Sequence, residues 1–252
     1  MKDTLRQITV LVSVLATVVF NLLANALPLN GLNTGEISDR FQVYFVPAGY
    51  VFAVWGVIYI GLIAYAVFQA LPSQRENPRL RRTGYLVAAS GLANGAWLFL
   101  WHYELFPPTL VAMFALLLLL IAVYLRLGTG RTAADAAEIW ATRVPISVYL
   151  GWITVAAVAN VTDVLYFLDW DGFGLSPQAW MLIVLGAVVL VSGLVGLTRR
   201  DLAFNLVVLW ALVGIAVKHS GAALVFPAVL AAAVLVLAIL LLSLPRRTAL
   251  HA

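Results

Sequence analysis

Tryptophan, tyrosine and asparagine recur at helical spacing inside three apolar segments, and their chemistry is that of recognition. The first segment carries Pro47, Phe52, Trp55 and Tyr59, the second Asn94, Trp97 and Trp101, the third Tyr149, Trp152, Ala156, Asn160 and Asp163. Within each segment the residues from Phe52, Asn94 and Tyr149 onward fall on steps of three or four, so each set shares one helix face. Indole faces stack on flat rings and carboxamides orient a bound group. No nucleophile or general acid–base pair stands among them, so hydrolysis and group transfer find no support. An amide in hydrocarbon is costly without a partner, and three such helices together point to a shared aromatic pocket. Taken singly, each residue has a plainer explanation. Trp and Tyr form belts at membrane interfaces, a role that suits Trp101, Tyr103, Trp170 and Trp180. Asn94 sits inside Gly91-x-x-x-Gly95, a helix-packing signature. Trp55, Trp97 and Trp152 lie too deep for a belt.

The elements that must position these residues are membrane helices. The chain has 252 residues, 63% of them hydrophobic and 10% charged, with a mean hydropathy of +1.01; a soluble domain is about 25% charged. No segment alternates as a β-barrel strand does, and a helical crossing takes about 20 apolar residues. Eight spans are expected, over Ile8–Leu27, Val46–Leu71, Gly84–Trp101, Thr109–Leu125, Val144–Leu168, Ala179–Leu197, Leu202–Val217 and Ala222–Leu244. Lys2, Arg6, Arg75, Arg79, Arg81, Arg82, Arg126, Arg131, Arg143, Arg199, Arg200, Arg246 and Arg247 fill every second connection. Only Arg40 and Lys218 fall on the other side, beside Glu36, Asp39, Glu104, Asp163, Asp169 and Asp171. Basic residues mark the cytoplasmic side, so both termini are expected inside, in a cell (inner) membrane. The net charge of +4 reports this topology and gives no case for nucleic acid.

The absence of cysteine excludes disulfides and thiolate metal sites. Three histidines, His102, His219 and His251, near span ends or in the tail, make no metal cluster. Lys2, Arg6 and Ala24-Asn25-Ala26 resemble a signal peptide; the reading preferred is an uncleaved first helix. The loop from Pro28 to Phe45 has the length of a lid. Thr129–Arg143, Ala-rich and charged, reads as a short interfacial helix. Counting about 1.5 Å of rise per residue, Trp55 lies about 12 Å below Pro47, Asn94 about 15 Å above Gly84, and Asn160 about 24 Å above Val144. Trp55, Asn94, Trp97 and Asn160 are therefore expected to meet in the outer half, with Ala156 leaving room for a flat ligand.

In these residues the chain resembles the TspO/translocator-protein family, the tryptophan-rich sensory proteins. The resemblance lies in Pro47…Trp55-x-x-x-Tyr59, in Asn94-x-x-Trp97, and in Tyr149-x-x-Trp152…Ala156…Asn160, and covers residues 1–170. Val148 and Leu98 stand where the family usually has proline. The resemblance implies an all-α membrane protein: a five-helix bundle over 1–170, here extended by three transmembrane helices over 171–252. It implies a cavity for porphyrins, sterol-like lipids or synthetic aromatic ligands. Trp55 and Asn94 would bond the ligand, Trp152 and Ala156 would wall it, and the loop after the first span would close over it. No cofactor is required on this reading; a tetrapyrrole, protoporphyrin or haem, is the ligand implied. Light-dependent porphyrin degradation comes with the resemblance as an enzymatic variant.

The competing reading is a multi-pass transporter of a small amphiphile, although no inverted repeat or broken pair of spans is visible. A retinal protein is the third, resting on Lys218, which sits at a span end where snorkelling explains it. Gly186, Gly193 and Gly196 are expected to let the last helices approach. The expected partners are the bilayer and a small hydrophobic ligand, and the sequence leaves monomer and homodimer open.

Overall fold

The computed structural model describes residues 2–27 and 29–244; Pro28, Arg246, Arg247 and His251 lie outside them. Among the described residues every regular element is a helix. In chain order these are α1 (Lys2–Ala26), α2 (Thr34–Ser38), α3 (Val54–Ala70), α4 (Pro78–His102), α5 (Phe106–Leu127), α6 (Ala136–Glu138), α7 (Val144–Phe167), α8 (Pro177–Arg199), α9 (Leu202–Lys218) and α10 (Val225–Ser243). Six helical stretches are long and apolar enough to cross a membrane: α1, α3 with its preceding turn, α5, α7 with the turns before it, α8 and α10. This is a multi-pass membrane protein. Helix α4 is long but diluted by Arg79, Arg81, Arg82, Ser90 and Asn94, and α9 is apolar but has only 17 residues.

Local signals set the helix ends. Proline stands in the first turn of α4, α5, α7 and α8, where a missing N–H costs nothing. Asn77, Ser176 and Asp201 cap α4, α8 and α9 through side-chain oxygens. Two boundaries differ from the sequence reading. Residues 46–48 are not helical and Gly49–Ala53 is a 3₁₀ turn, so Pro47 lies in an extended strap and the depth counted from it as helical rise does not apply. The segment before α7 forms no separate interfacial helix. Ala136–Glu138 and a π-turn over Ile139–Arg143 run straight into α7.

Five helices close into a ring in the order α3, α1, α4, α5, α7 and back to α3. Helix α1 lies flat on α4 because Gly91 leaves room: a Cβ there would come within 2.5 Å of Thr17 Oγ1 and 2.7 Å of Ser13 Oγ. At the basic end Gln7 and Gln69 lock α1 to α3, each amide donating to the other's carbonyl at 2.7 and 3.0 Å. Helix α9 docks on the outside of α7, and α8 and α10 pack on α9. Close approach there is set by Gly151 against the Phe204 carbonyl and by Gly214 against Val51. Of the three glycines expected to serve this purpose, Gly196 does, against Ile239 and Asn205. Gly186 meets nothing within 4 Å and Gly193 only the tip of Ile239. The remaining helix surface is apolar, with Ile8, Val12, Ile60, Val111, Leu118, Leu190 and Leu194 all exposed, the condition of a lipid-facing wall.

The loop after α1 is folded into the ring mouth at the acidic end. Asn33 and Glu36 form a reciprocal capping box that starts α2, and Ile37, Phe41 and Phe45 are buried. Arg40 pairs with Glu104 and Lys218 with Asp39, so both basic residues at this end are matched to acids.

Candidate functional site

The inner faces of α3, α4 and α7 bring the aromatic residues of the three segments together. Trp152 meets Trp55 at 6.3 Å and Phe52 at 5.7 Å between ring centroids, both edge to face. Trp55 stacks on Tyr59 at 5.7 Å and meets the edge of Tyr149 at 6.0 Å. On the other wall Trp97 stacks on Trp101 at 5.5 Å. Offset and edge-to-face pairs of this kind contribute about 0.5–1.5 kcal/mol each beyond burial.

Between the walls lies a cavity of about 40 Å³, bounded by Pro47, Phe52, Trp55, Trp97, Trp152, Ala156 and Asn160 from the expected set. Thr34 and Ser38 of α2 roof it, and Trp101 and Asp163 complete the wall. A water occupies about 15 Å³ on this scale, so the closed cavity holds two or three. Tyr59 faces instead a groove of about 650 Å³ between α1, α2 and the start of α3. Thr34, Phe52 and Trp55 border both spaces and form the partition between them. Asn94 and Tyr149 border neither. They lie on the basic side of the cavity, fully buried.

The amides do not share one ligand position. Asn160 Oδ1 accepts from Trp97 Nε1 at 3.1 Å, and its Nδ2 donates to Thr109 Oγ1 at 2.9 Å, which itself donates to the Phe106 carbonyl. That relay is saturated and fixes the Trp97 indole. Asn94 is engaged elsewhere: its Oδ1 accepts from Asn21 Nδ2 at 2.7 Å, which ties α4 to α1. The expected meeting of Asn94 with Trp55, Trp97 and Asn160 is therefore replaced by two separate amide links. The reason is that α1, and not α3, lies opposite Asn94.

Trp101 is no belt residue. It is buried, stacks on Trp97 and donates from Nε1 to the Thr34 carbonyl at 3.2 Å, because the folded loop covers it. His102 beside it is also buried, its Nδ1 3.1 Å from the Leu29 carbonyl and its Nε2 3.1 Å from Thr34 Oγ1. A carbonyl only accepts, so Nδ1 is assigned the proton in its contact with Leu29.

Several buried polar atoms around the cavity have no protein partner: Trp152 Nε1, Tyr149 Oη, Asn94 Nδ2 and Asp163 Oδ1. Orphans of this kind are rare in finished cores; others lie away from the cavity, among them Thr129 Oγ1, Ser192 Oγ and Asn205 Oδ1. The sequence reading missed Asn21, Thr34, Ser38, Thr109 and His102. Asp163 and Trp101 were visible on the stripes of α7 and α4 and were placed at the membrane boundary. Among the described residues no cluster of His, Cys, Asp or Glu could hold a metal ion.

No curated protein and no solved structure matches the chain. The model of the TSPO-like protein family matches residues 7–244, a span that takes in the three C-terminal helices as well as the ring. The chain belongs to the TSPO-like protein family.

Proposed function

We propose that this protein binds a flat hydrophobic ligand, porphyrin- or sterol-like in shape, in the space formed when the groove and the ring cavity join. One observation carries the reading: Trp55 and Phe52 are walls of both spaces. A rotation of these two rings merges them into a volume of the 300–1,000 Å³ that ligand pockets occupy. Trp97, Trp101 and Trp152 then supply flat faces, and the orphaned Trp152 indole N–H supplies a donor. Of the expected ligand contacts, Pro47, Phe52, Trp55, Trp97, Trp152, Ala156 and Asn160 are assigned to the cavity and Tyr59 to the groove. Asn94 and Tyr149 lie beyond the cavity's basic end and line neither space. The 171–252 helices buttress this unit by pinning α7 and the strap that carries Pro47.

In the bilayer the basic end faces the cytoplasm with both termini inside, all eight long helices crossing, α4 and α9 shielded by their neighbours. Support comes from charge placement: eleven Lys and Arg among the described residues lie at one end, against Arg40 and Lys218 at the other. A path for transport finds less support, because Tyr65 and Tyr149 are among the largest fully buried side chains on the basic side of the cavity.

Titration of the purified protein in nanodiscs with protoporphyrin dimethyl ester, read by tryptophan quenching, tests the binding reading. Saturable quenching is expected in the native chain. Ala156→Phe, which fills the cavity, is expected to weaken it at least about tenfold. Linear quenching of equal slope in both proteins sinks the proposal.

A further inference from the structure

We infer that the ligand of this site carries a cationic head, an ammonium or a group like it, which Asp163 receives; the inference rests on the binding reading above. Asp163 is 2% exposed, and no donor of the protein reaches its Oδ1. It borders the same cavity as Trp55, Trp97, Trp101 and Trp152. A carboxylate buried without a partner is strongly disfavoured and calls for a matching charge or proton. Four indole rings around a carboxylate are the surroundings that favour an organic cation, by attraction to the ring faces and by charge.

The approach to the cavity carries the same sign. The groove is bordered by Glu36 and Asp39, and no Lys or Arg borders either space among the described residues. The nearest basic groups are already engaged: Lys218 Nζ is 2.7 Å from Asp39 Oδ1, and Arg40 is held by Glu104. A ligand carboxylate, such as the propionates of a natural porphyrin, would thus meet acid and no free cation. Size agrees as well. The closed cavity of about 40 Å³ accepts a head of a few heavy atoms, while the flat body stays in the 650 Å³ groove behind Trp55. The structure therefore favours an amine-bearing amphiphile over the carboxylated tetrapyrrole that the family resemblance implies.

Three probes of one shape separate charge from stacking: 9-(aminomethyl)anthracene, 9-anthracenemethanol and 9-anthracenecarboxylate. Each is titrated against the protein in nanodiscs of zwitterionic lipid, with empty nanodiscs as the partition control. The ammonium probe is expected to bind about tenfold or more tighter than the alcohol, and the carboxylate weaker than either. In Asp163→Asn the ratio of ammonium to alcohol affinity is expected to fall to within about threefold. Should that variant not fold, competition in the native chain reads the same property: tetramethylammonium chloride displaces the ammonium probe and sodium chloride of equal concentration does not. Equal affinity for the three probes, or a preference that survives Asp163→Asn, overturns the cation assignment and leaves the pocket standing. Failure of all three to saturate removes the pocket itself.

Discussion

Helix α7 has two working faces, and they are built on opposite rules. Toward α9 it presents Gly151 against the Phe204 carbonyl, and Ser147, whose Oγ donates to Asp201 Oδ2 at 2.6 Å. At Gly151 the two helices stand at backbone contact, and the polar atoms of the Ser147–Asp201 pair are matched, although both of these residues also line a groove of about 960 Å³. Toward the ring it presents Tyr149, Trp152, Ala156 and Asp163. There the side chains are large, the packing leaves a void, and hydrogen-bonding capacity is unused. Membrane helices associate without a hydrophobic drive between them, so close packing is their main source of adhesion. The Gly151 contact uses that source, and the ring face forgoes part of it. Larger grooves, of about 960 and 550 Å³, lie along α7 beside α9 and α8, so what sets the ring hollow apart is its lining of four indoles and a carboxyl group.

The contrast is broken most directly by adding bulk. Gly151→Val puts a branched side chain where a Cβ alone would lie 2.9 Å from the Phe204 carbonyl oxygen. It is expected to cost about 3 kcal/mol, the upper range for overpacking, read as a lowered midpoint of thermal unfolding in detergent. Asn160→Leu comes next. It strips the acceptor from Trp97 Nε1 inside the ring, and a loss of about 1–3 kcal/mol is expected with a change in the near-ultraviolet dichroism of the tryptophans. Ala156→Val adds the same kind of bulk as the first variant, but into the void, and is expected to shift stability by less than about 1 kcal/mol. If it destabilises as much as Gly151→Val, the two faces are not different in kind.

The smallest effect is at the rim. The Arg40 guanidinium hydrogen-bonds Glu104 and holds its carboxyl below the ordinary value of 4.5. A lowered value stabilises the fold above the unfolded carboxylate range and ceases to do so as the pH falls through it. The side chains are 50% and 39% exposed, so Glu104→Gln is expected to cost only about 0–1 kcal/mol at neutral pH. The difference from the native chain should vanish in acid.

Much of this was legible before any coordinates. The all-helical membrane character and the stripes on α4 and α7 follow from apolar run length and a period near 3.6, both local properties. What pairs with what is not local. Asn94 carries the same signal whether its partner is Trp55 or Asn21, and only the ring order of the helices decides. Trp101 reads as a belt residue because its depth is judged from its own helix, whereas its burial comes from a loop some seventy residues away in sequence. Thr34 and Ser38 follow no period, since the loop that carries them is placed by the capping box and by Phe41 and Phe45. Asp163 sat on the visible stripe, and its position near a span end disguised it. The reach of the family pattern past residue 170 was also hidden, because Leu, Val and Ala in α8–α10 carry little that distinguishes one membrane helix from another.

The strap between the roof and α3 is fastened to the C-terminal helices. The Ala48 amide donates to the Gly214 carbonyl at 3.2 Å, and Trp210 Nε1 donates to the Val51 carbonyl at 3.1 Å. A flap clamped along that margin swings only from the opposite one, so under the proposed binding function a guest enters on the α1 side, where Asn25 and Asn33 stand. The fixed margin is α9, and removing α9 would free the strap and uncover the outer face of α7 together.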